Sequence, residues 1–426
     1  MKHLLFFVFF LSITHLGLSQ TTHRDNFSKE YWNDYVGVYS SHEGGTNYTL
    51  SITWGNRLIL TNLKTGKYSV FDNQDTDRFA SGDSLTLRFE RSDTNTVSSF
   101  VINGTESAEA DKESINIENI TIQSNGAIIA GTLLKPVGDG PYPLLIMNGG
   151  ASWIIRDTNL DLALQHVSKG RAAFVYDKRG FGESTGEQSV AFQTTADDIN
   201  NIARHFSFRM DINPSKIGIS TYSQSGWYGT LASSQSDHIS FQILNVPAAT
   251  TIERQERQRI KTEMDLDDFS EQEIENALSL FDLMSNFSKT GTKWDEYISL
   301  REKYSDKGWI NYLFAPTNNK QETWAWGRMN WQYNPLPALL KTKIPTLVIL
   351  GENDPKVLPD VNRSIFELVF NTVNPPNSQI LVIDKMDHSL TITEKAGRNQ
   401  PSSYTYAQGY FEAKESWLDK IIHSKK

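Results

Sequence analysis

Apolar residues fall along this chain in two rhythms, and the change between them divides it. Over roughly the first quarter, apolar and polar residues alternate. Tyr48, Leu50 and Ile52 show the pattern, and Leu85, Leu87 and Phe89 repeat it. Turn-forming pairs, Gly44-Gly45, Gly55-Asn56 and Gly82-Asp83, break the runs. A period of two marks strands with one buried face, and short strands between such turns imply antiparallel β structure. The pattern predicts a small all-β domain over residues 27–110, lipocalin-like or a sandwich, and a polar, acidic linker over residues 105–114.

From Ile115 the rhythm changes. Residues 115–122 and 128–134 read as two strands joined by a turn at Asn125-Gly126. Continuous apolar runs follow: Leu144-Leu145-Ile146-Met147, Ala172-Ala173-Phe174-Val175-Tyr176, Ile217-Gly218-Ile219, Phe241-Gln242-Ile243-Leu244, Thr346-Leu347-Val348-Ile349-Leu350 and Ile380-Leu381-Val382-Ile383. Such runs suit strands buried on both faces. Helix-like segments separate them, so the expected fold is α/β, with a mostly parallel, doubly wound sheet over residues 115–426. Residues 250–335 interrupt the alternation. Ser270-Glu271-Gln272-Glu273 has the form of a capping box, and Ile274, Leu278 and Phe281 follow at helical spacing. This predicts a helical insertion, rich in aromatics toward its end: Trp309, Tyr312, Phe314, Trp324, Trp326 and Trp331.

Composition narrows the picture. The 426 residues are 38% hydrophobic and 21% charged, ordinary values for a globular chain. A net charge of -9 without a clustered basic face argues against a nucleic-acid partner. Cysteine is absent, which excludes disulfides, thiol nucleophiles and a lipid-bearing cysteine. Lys2 and His3 precede the apolar run at residues 4–11, and small residues follow at Gly17 and Ser19. Residues 1–20 therefore read as a signal peptide cleaved near Gln20. The implied location is periplasmic or secreted, with no membrane span in the mature chain.

Four segments carry candidate chemistry. In Ile217-Gly218-Ile219-Ser220-Thr221-Tyr222-Ser223-Gln224-Ser225-Gly226-Trp227 a strand runs into a serine flanked by small residues. This is the layout of a nucleophile elbow, a sharp strand-to-helix turn that exposes a hydroxyl above the sheet. Ser223 suits that place; Ser220 leaves too short a strand before the turn, and Ser225 falls inside the helix. The backbone N–H of Gln224 then faces a developing oxyanion. In Leu350-Gly351-Glu352-Asn353-Asp354-Pro355 a buried strand ends beside an acid. Asp354 is the choice to orient a histidine, with Glu352 and Asp360 as alternatives. In Asp384-Lys385-Met386-Asp387-His388-Ser389-Leu390 the residue His388 follows the next strand and fits a general base. Met147-Asn148-Gly149-Gly150-Ala151-Ser152-Trp153 places glycines directly after a buried strand, which makes Gly150 the second oxyanion donor.

Together these segments resemble the α/β-hydrolase superfamily, in its bacterial esterase and serine aminopeptidase-like branch. The likeness covers roughly residues 115–420. Asn148-Gly149-Gly150 stands where the family has a His-Gly turn, and Arg156-Asp157 follows. The segment Asp177-Lys178-Arg179-Gly180-Phe181-Gly182-Glu183-Ser184 is similar to the family's Asp-x-Arg-Gly-x-Gly-x-Ser loop. The chain departs from the family's Gly-x-Ser-x-Gly elbow by carrying Thr221 and Ser225 at the glycine positions.

The resemblance implies an α/β-hydrolase fold with a helical lid, and acyl transfer through Ser223, His388 and Asp354 with no metal or organic cofactor. Its expected substrate is a small carboxylic ester. The alternatives are a short peptide, with Glu253, Arg254 and Glu256 placed to hold a terminus, and a non-catalytic surface binder. Trp153, Tyr222, Trp324 and Trp326 are candidate substrate contacts.

Overall fold

The computed structural model describes residues 34–42, 47–53, 57–82, 84–105, 107–151, 155–188, 190–394 and 405–423. Residues 1–20, read above as a signal peptide, lie outside the described residues, as does Trp153.

Eight strands form the first unit: β1 Gly37–Ser41, β2 Asn47–Thr53, β3 Arg57–Asn62, β4 Tyr68–Asp75, β5 Arg78–Ser81, β6 Leu85–Arg91, β7 Val97–Gly104 and β8 Ala108–Lys112. They pair in sequence order and close into a barrel through the antiparallel contact of β1 with β8. The alternation in β6 turns Leu85, Leu87 and Phe89 inward. Aromatic rings fill the interior; Tyr35 lies 5.3 Å from Phe79 and 4.7 Å from Phe89 between ring centroids. Residues 108–112, expected to be linker, are instead the strand that closes the barrel. Their inward positions are Ala108 and Ala110, and Glu109 and Asp111 face out. Small inward residues gave this strand too little apolar signal to be read as one.

The second unit is an eight-stranded sheet: β9 Ile115–Ser124, β10 Ala127–Pro136, β11 Tyr142–Asn148, β12 Ala172–Tyr176, β13 Ile212–Tyr222, β14 Phe241–Asn245, β15 Thr346–Gly351 and β16 Gln379–Ile383. Their spatial order is β16-β15-β14-β13-β11-β12-β10-β9. The β9–β10 hairpin turns at Asn125 and Gly126, with φ of 43° and 78°, as a tight two-residue turn requires. β10 meets β12 antiparallel, and all strands from β12 to β16 run parallel. β16 is an edge strand with a half-open pattern rather than a fully buried run. A short apolar stretch reads alike in both settings.

The described residues also hold ten named α-helices, besides two short 3-10 helices at Arg156–Asn159 and Gly308–Tyr312: α1 Leu160–Val167, α2 Phe192–Ser207, α3 Ser225–Ser233, α4 Ile252–Leu266, α5 Glu271–Thr290, α6 Trp294–Lys303, α7 Gln321–Asn330, α8 Leu336–Lys341, α9 Pro359–Val373 and α10 Gln408–His423. Apolar faces of α2, α3 and α9 pack on one side of the sheet, and those of α1 and α10 on the other. The sheet order and the helices on both faces make this an α/β-hydrolase fold. Helices α4 to α8 lie between β14 and β15; α4 to α7 share a core of their own around Met264, Phe281 and Trp309, and α8 packs on the main domain through Leu339. The capping box forms as expected: Glu273 N–H donates to Ser270 Oγ and Ser270 N–H to Glu273 Oε2.

The barrel docks on the α1 and α10 side. Val36 and Val38 enter the same apolar cluster as α1 and α10. At the seam the Asp161 carboxylate is buried and accepts four hydrogen bonds. Thr49 and Thr61 of the barrel donate to one oxygen at 2.8 and 3.1 Å. Gln165 and Tyr406 donate to the other at 3.1 and 3.0 Å. Burial holds this carboxyl above the ordinary aspartate range, against the pull of its four donors.

Asp161→Ala is predicted to cost about 2–3 kcal/mol, because four buried donors lose their acceptor. Asp161→Asn, an analogue of the neutral acid, should retain most of the stability at neutral pH. With its folded pKa raised, Asp161 binds its proton more tightly in the native state. Its contribution is complete below the unfolded value of 3.8 and declines as pH rises through the raised one. Urea unfolding of the three proteins across pH tests this; an Asp161→Ala midpoint equal to that of the parent would refute the docking role.

Candidate active site

Three strand ends build the site. β13 ends at Tyr222, and α3 begins at Ser225, so Ser223 and Gln224 span the turn between them. Ser223 sits at φ 53°, in the left-handed region that non-glycine residues rarely adopt. Its N–H donates to Asn245 O at 2.9 Å, and its carbonyl accepts from Gly226 N–H at 2.9 Å. This left-handed corner lifts the hydroxyl off the strand axis, as a nucleophile elbow does.

The hydroxyls at the unusual elbow positions are used locally. Ser225 Oγ accepts from Tyr222 N–H at 2.6 Å and lies 2.9 Å from Asn148 O, to which it donates. It thereby ties the elbow to the end of β11. Thr221 finds room because α3 carries Gly229 opposite it; a Cβ on Gly229 would come within 2.5 Å of Thr221 Cγ2. The space that the usual elbow glycine provides within the strand is here provided by a glycine in the helix. Ser220, one of the rival serines, is buried in β13 and takes a hydrogen bond from Asn245.

His388 Nε2 lies 3.0 Å from Ser223 Oγ, and His388 Nδ1 lies 2.8 Å from Asp354 Oδ2. With the ring neutral, Nδ1–H donates to the carboxylate and leaves Nε2 free to accept from the serine hydroxyl. Asp354 is buried, and its other oxygen accepts from the N–H groups of Lys356 and Val357 at 2.8 and 2.9 Å. Both carboxylate oxygens are therefore engaged and the acid cannot swing. Of its rivals, Glu352 is exposed and accepts from Lys385 N–H, while Asp360 lies in the first turn of α9.

The loop bearing His388 is held by a residue that the sequence did not mark. Asp387 Oδ1 accepts from Ser389 N–H, Thr391 N–H and Thr391 Oγ1–H at 2.9, 3.0 and 3.0 Å, and closes a tight turn around the histidine. Tyr222, expected to touch substrate, donates its hydroxyl to His388 O at 2.6 Å. It braces the loop from the serine side.

Gly150 follows β11 next to the elbow, and Gln224 follows Ser223. Among the described residues, neither N–H makes a hydrogen bond. Asn148 is buried; its amide donates to Ile146 O and Ser220 O, and its carbonyl accepts from Tyr176. Tyr228 Oη donates to Gly149 O at 2.8 Å and holds the glycine turn from α3. The Asp177–Gly186 loop behind it is pinned by ion pairs of Arg156 with Asp177 at 2.8 Å and Arg179 with Asp198 at 2.5 Å.

The insertion meets the main domain through Trp326, which packs 6.0 Å from Phe192, and Tyr333, which donates to Trp227 O. Trp324 lies in the insertion's own core, with its indole N–H on Asn318 O. Among the described residues no group of three or more histidine or acidic side chains is placed to hold a metal ion. None of the described helices is long and apolar enough to cross a membrane.

No family model and no curated protein matches the chain. Solved structures with a similar fold include the α/β hydrolase GrgF from Penicillium sp. sh18, at 16% identity and a TM-score of 0.48, covering 73% of this chain and 100% of that one. An esterase from Pyrococcus furiosus aligns at 13% identity and TM-score 0.45, covering 72% of this chain and 92% of that one. A puromycin-hydrolyzing peptidase from Mycobacterium tuberculosis aligns at 15% identity and TM-score 0.45, covering 92% of this chain and 54% of that one.

Gly229→Ala is predicted to destabilise the protein by about 1–2 kcal/mol, since overpacking against Thr221 outweighs the helix propensity of alanine. Adding Thr221→Ser should recover most of that loss, because serine lacks the obstructing methyl. A double-mutant cycle in urea measures the coupling; strictly additive effects would show that the two residues do not share this space.

Proposed function

We propose that this chain, an α/β hydrolase by fold, is a serine hydrolase that cleaves small carboxylic esters through an acyl-enzyme. The observation that carries the reading is the unbroken hydrogen-bonded path from Ser223 through His388 to Asp354. Ser223 Oγ attacks the ester carbonyl as His388 Nε2 takes its proton. Asp354 keeps Nδ1 protonated and stabilises the imidazolium that forms. The N–H groups of Gly150 and Gln224 receive the charge on the carbonyl oxygen. Collapse of the adduct breaks the bond to the alcohol oxygen, which leaves with the proton from His388. A water molecule, deprotonated by His388, then releases the acid and restores Ser223.

Esters are favoured over peptides by the lid carboxylates. Glu253 is bound to Lys289 and Ser285 at 2.7 and 2.8 Å, and Glu256 to Arg259 at 2.9 Å. Both acids thus have cationic partners within the insertion itself, and Arg254 is exposed to solvent. We further infer export, with cleavage near Gln20. Sequencing the mature amino terminus from fractionated cells tests that inference, and an intact Met1 in the exported fraction would defeat it.

Ser223→Ala, His388→Ala and Asp354→Asn are each predicted to lower kcat/KM for p-nitrophenyl acetate by roughly a thousandfold or more. Ser223→Ala should also abolish labelling by a fluorophosphonate probe. Equal turnover by parent and Ser223→Ala excludes Ser223 as nucleophile, and a folded parent that neither hydrolyses nor labels is a binding protein. Greater kcat/KM for alanine p-nitroanilide than for the ester would reassign the enzyme to peptides.

A further inference from the structure

Lys178 is a charged residue that the proposed chemistry does not use. It follows β12 in the loop Asp177-Lys178-Arg179-Gly180, whose neighbours are fully paired. Asp177 is engaged by Arg156, and Arg179 by Asp198. The Lys178 ammonium, in contrast, has no hydrogen-bond acceptor or ion-pair partner among the described residues; it rests over the ring of Tyr228, 5.4 Å from the centroid. The nearest carboxylate that influences it, Asp198, is already held by Arg179 and Ser124. Burial pushes this lysine down to about 8, the response of a cation short of compensation.

Strand register places this cation beside the site. Met147 of β11 pairs with Val175 of β12 on one side and with Ser220 of β13 on the other. Three residues further along each chain stand Gly150, Lys178 and Ser223. All three lie just past the ends of adjacent strands, which are Asn148, Tyr176 and Tyr222. Adjacent strands stand about 4.8 Å apart, with β11 between β12 and β13. The Tyr228 ring beneath the ammonium also donates to Gly149 O, within the same glycine turn. Through Tyr228 the cation therefore sits near the glycine turn that carries Gly150.

We propose that Lys178 binds a carboxylate carried by the acyl part of the substrate, so that the preferred esters are half-esters of dicarboxylic acids. This rests on the serine-hydrolase reading for its orientation: the ester carbonyl sits between Ser223 and Gly150, and the acyl chain runs past the glycine turn to the ammonium. A carboxylate there gives the half-buried cation a charge-assisted partner. A neutral acyl chain leaves it unpaired.

The test compares monomethyl glutarate with methyl valerate, a neutral ester of similar length. The parent should favour the half-ester, and Lys178→Met should reduce the ratio of kcat/KM values by roughly tenfold or more, mainly through KM for the half-ester. Lys178→Arg should restore part of that ratio. A ratio unchanged by Lys178→Met overturns the proposal. Binding gives an arm independent of turnover: monomethyl glutarate is titrated calorimetrically into Ser223→Ala protein with and without Lys178→Met. Binding that requires Lys178 supports the proposal even if neither ester is hydrolysed, an outcome that removes the hydrolase reading alone. No binding, or binding indifferent to Lys178, removes this inference alone.

Discussion

The left-handed backbone at Ser223 is the constraint on which the α/β domain turns. A non-glycine residue in that region costs on the order of 1–2 kcal/mol, and the surrounding structure must over-determine it. Here the over-determination is visible. The residue before the serine, Tyr222, is the last of a strand paired on both sides, so its direction is set by β11 and β14. Asn245 O takes the serine N–H, and α3 starts two residues later, so neither end of the turn can relax. The strain is local, while the restraint comes from the whole sheet.

Replacement of the elbow glycines follows the same logic. Strand and helix must approach closely, and some residue in the contact must be small. Gly229 meets that need from the helix and leaves Thr221 free to fill the strand. Ser225 adds a hydrogen bond that glycine lacks and joins the elbow to the β11 turn that presents Gly150. The Ser223 hydroxyl and the Gly150 turn are thus positioned as one unit. Asp354 and His388 arrive on separate loops made rigid by local turns: Asp354 by the N–H groups that cap its second oxygen, His388 by Asp387 and by the Tyr222 hydroxyl. Polar residues with no chemical task carry most of the positioning.

The barrel attaches by a different kind of contact. Its interior is apolar and complete, so its outer surface is free to dock. Docking combines a small apolar patch at Val36 and Val38 with one buried carboxylate serving donors from both units. Asp161 belongs to a helix of the α/β domain, Thr49 and Thr61 to the barrel, and Tyr406 to the segment before α10. A buried acid with four donors is directional where an apolar patch is not, and it specifies how the barrel sits.

Much of this was legible in the amino-acid order. Period-two alternation announced an all-β unit, continuous apolar runs announced a parallel sheet, and Ser270 with Glu273 announced a helix start, because each is a short-range pattern tied to one local geometry. The serine, acid and histidine segments were legible because each follows a strand. Other features were not. The closing strand at residues 108–112 hid behind alanines, and the edge position of β16 leaves no mark in a run of five residues. Asp161, Asp387 and Gly229 look ordinary in sequence; their importance comes from partners up to 245 positions distant, as with Tyr406 and Asp161. Local order sets the period of the backbone and the residue types at its turns. Which side chains meet across strands is decided by register and packing, and these exist only once the sheet has closed on its helices.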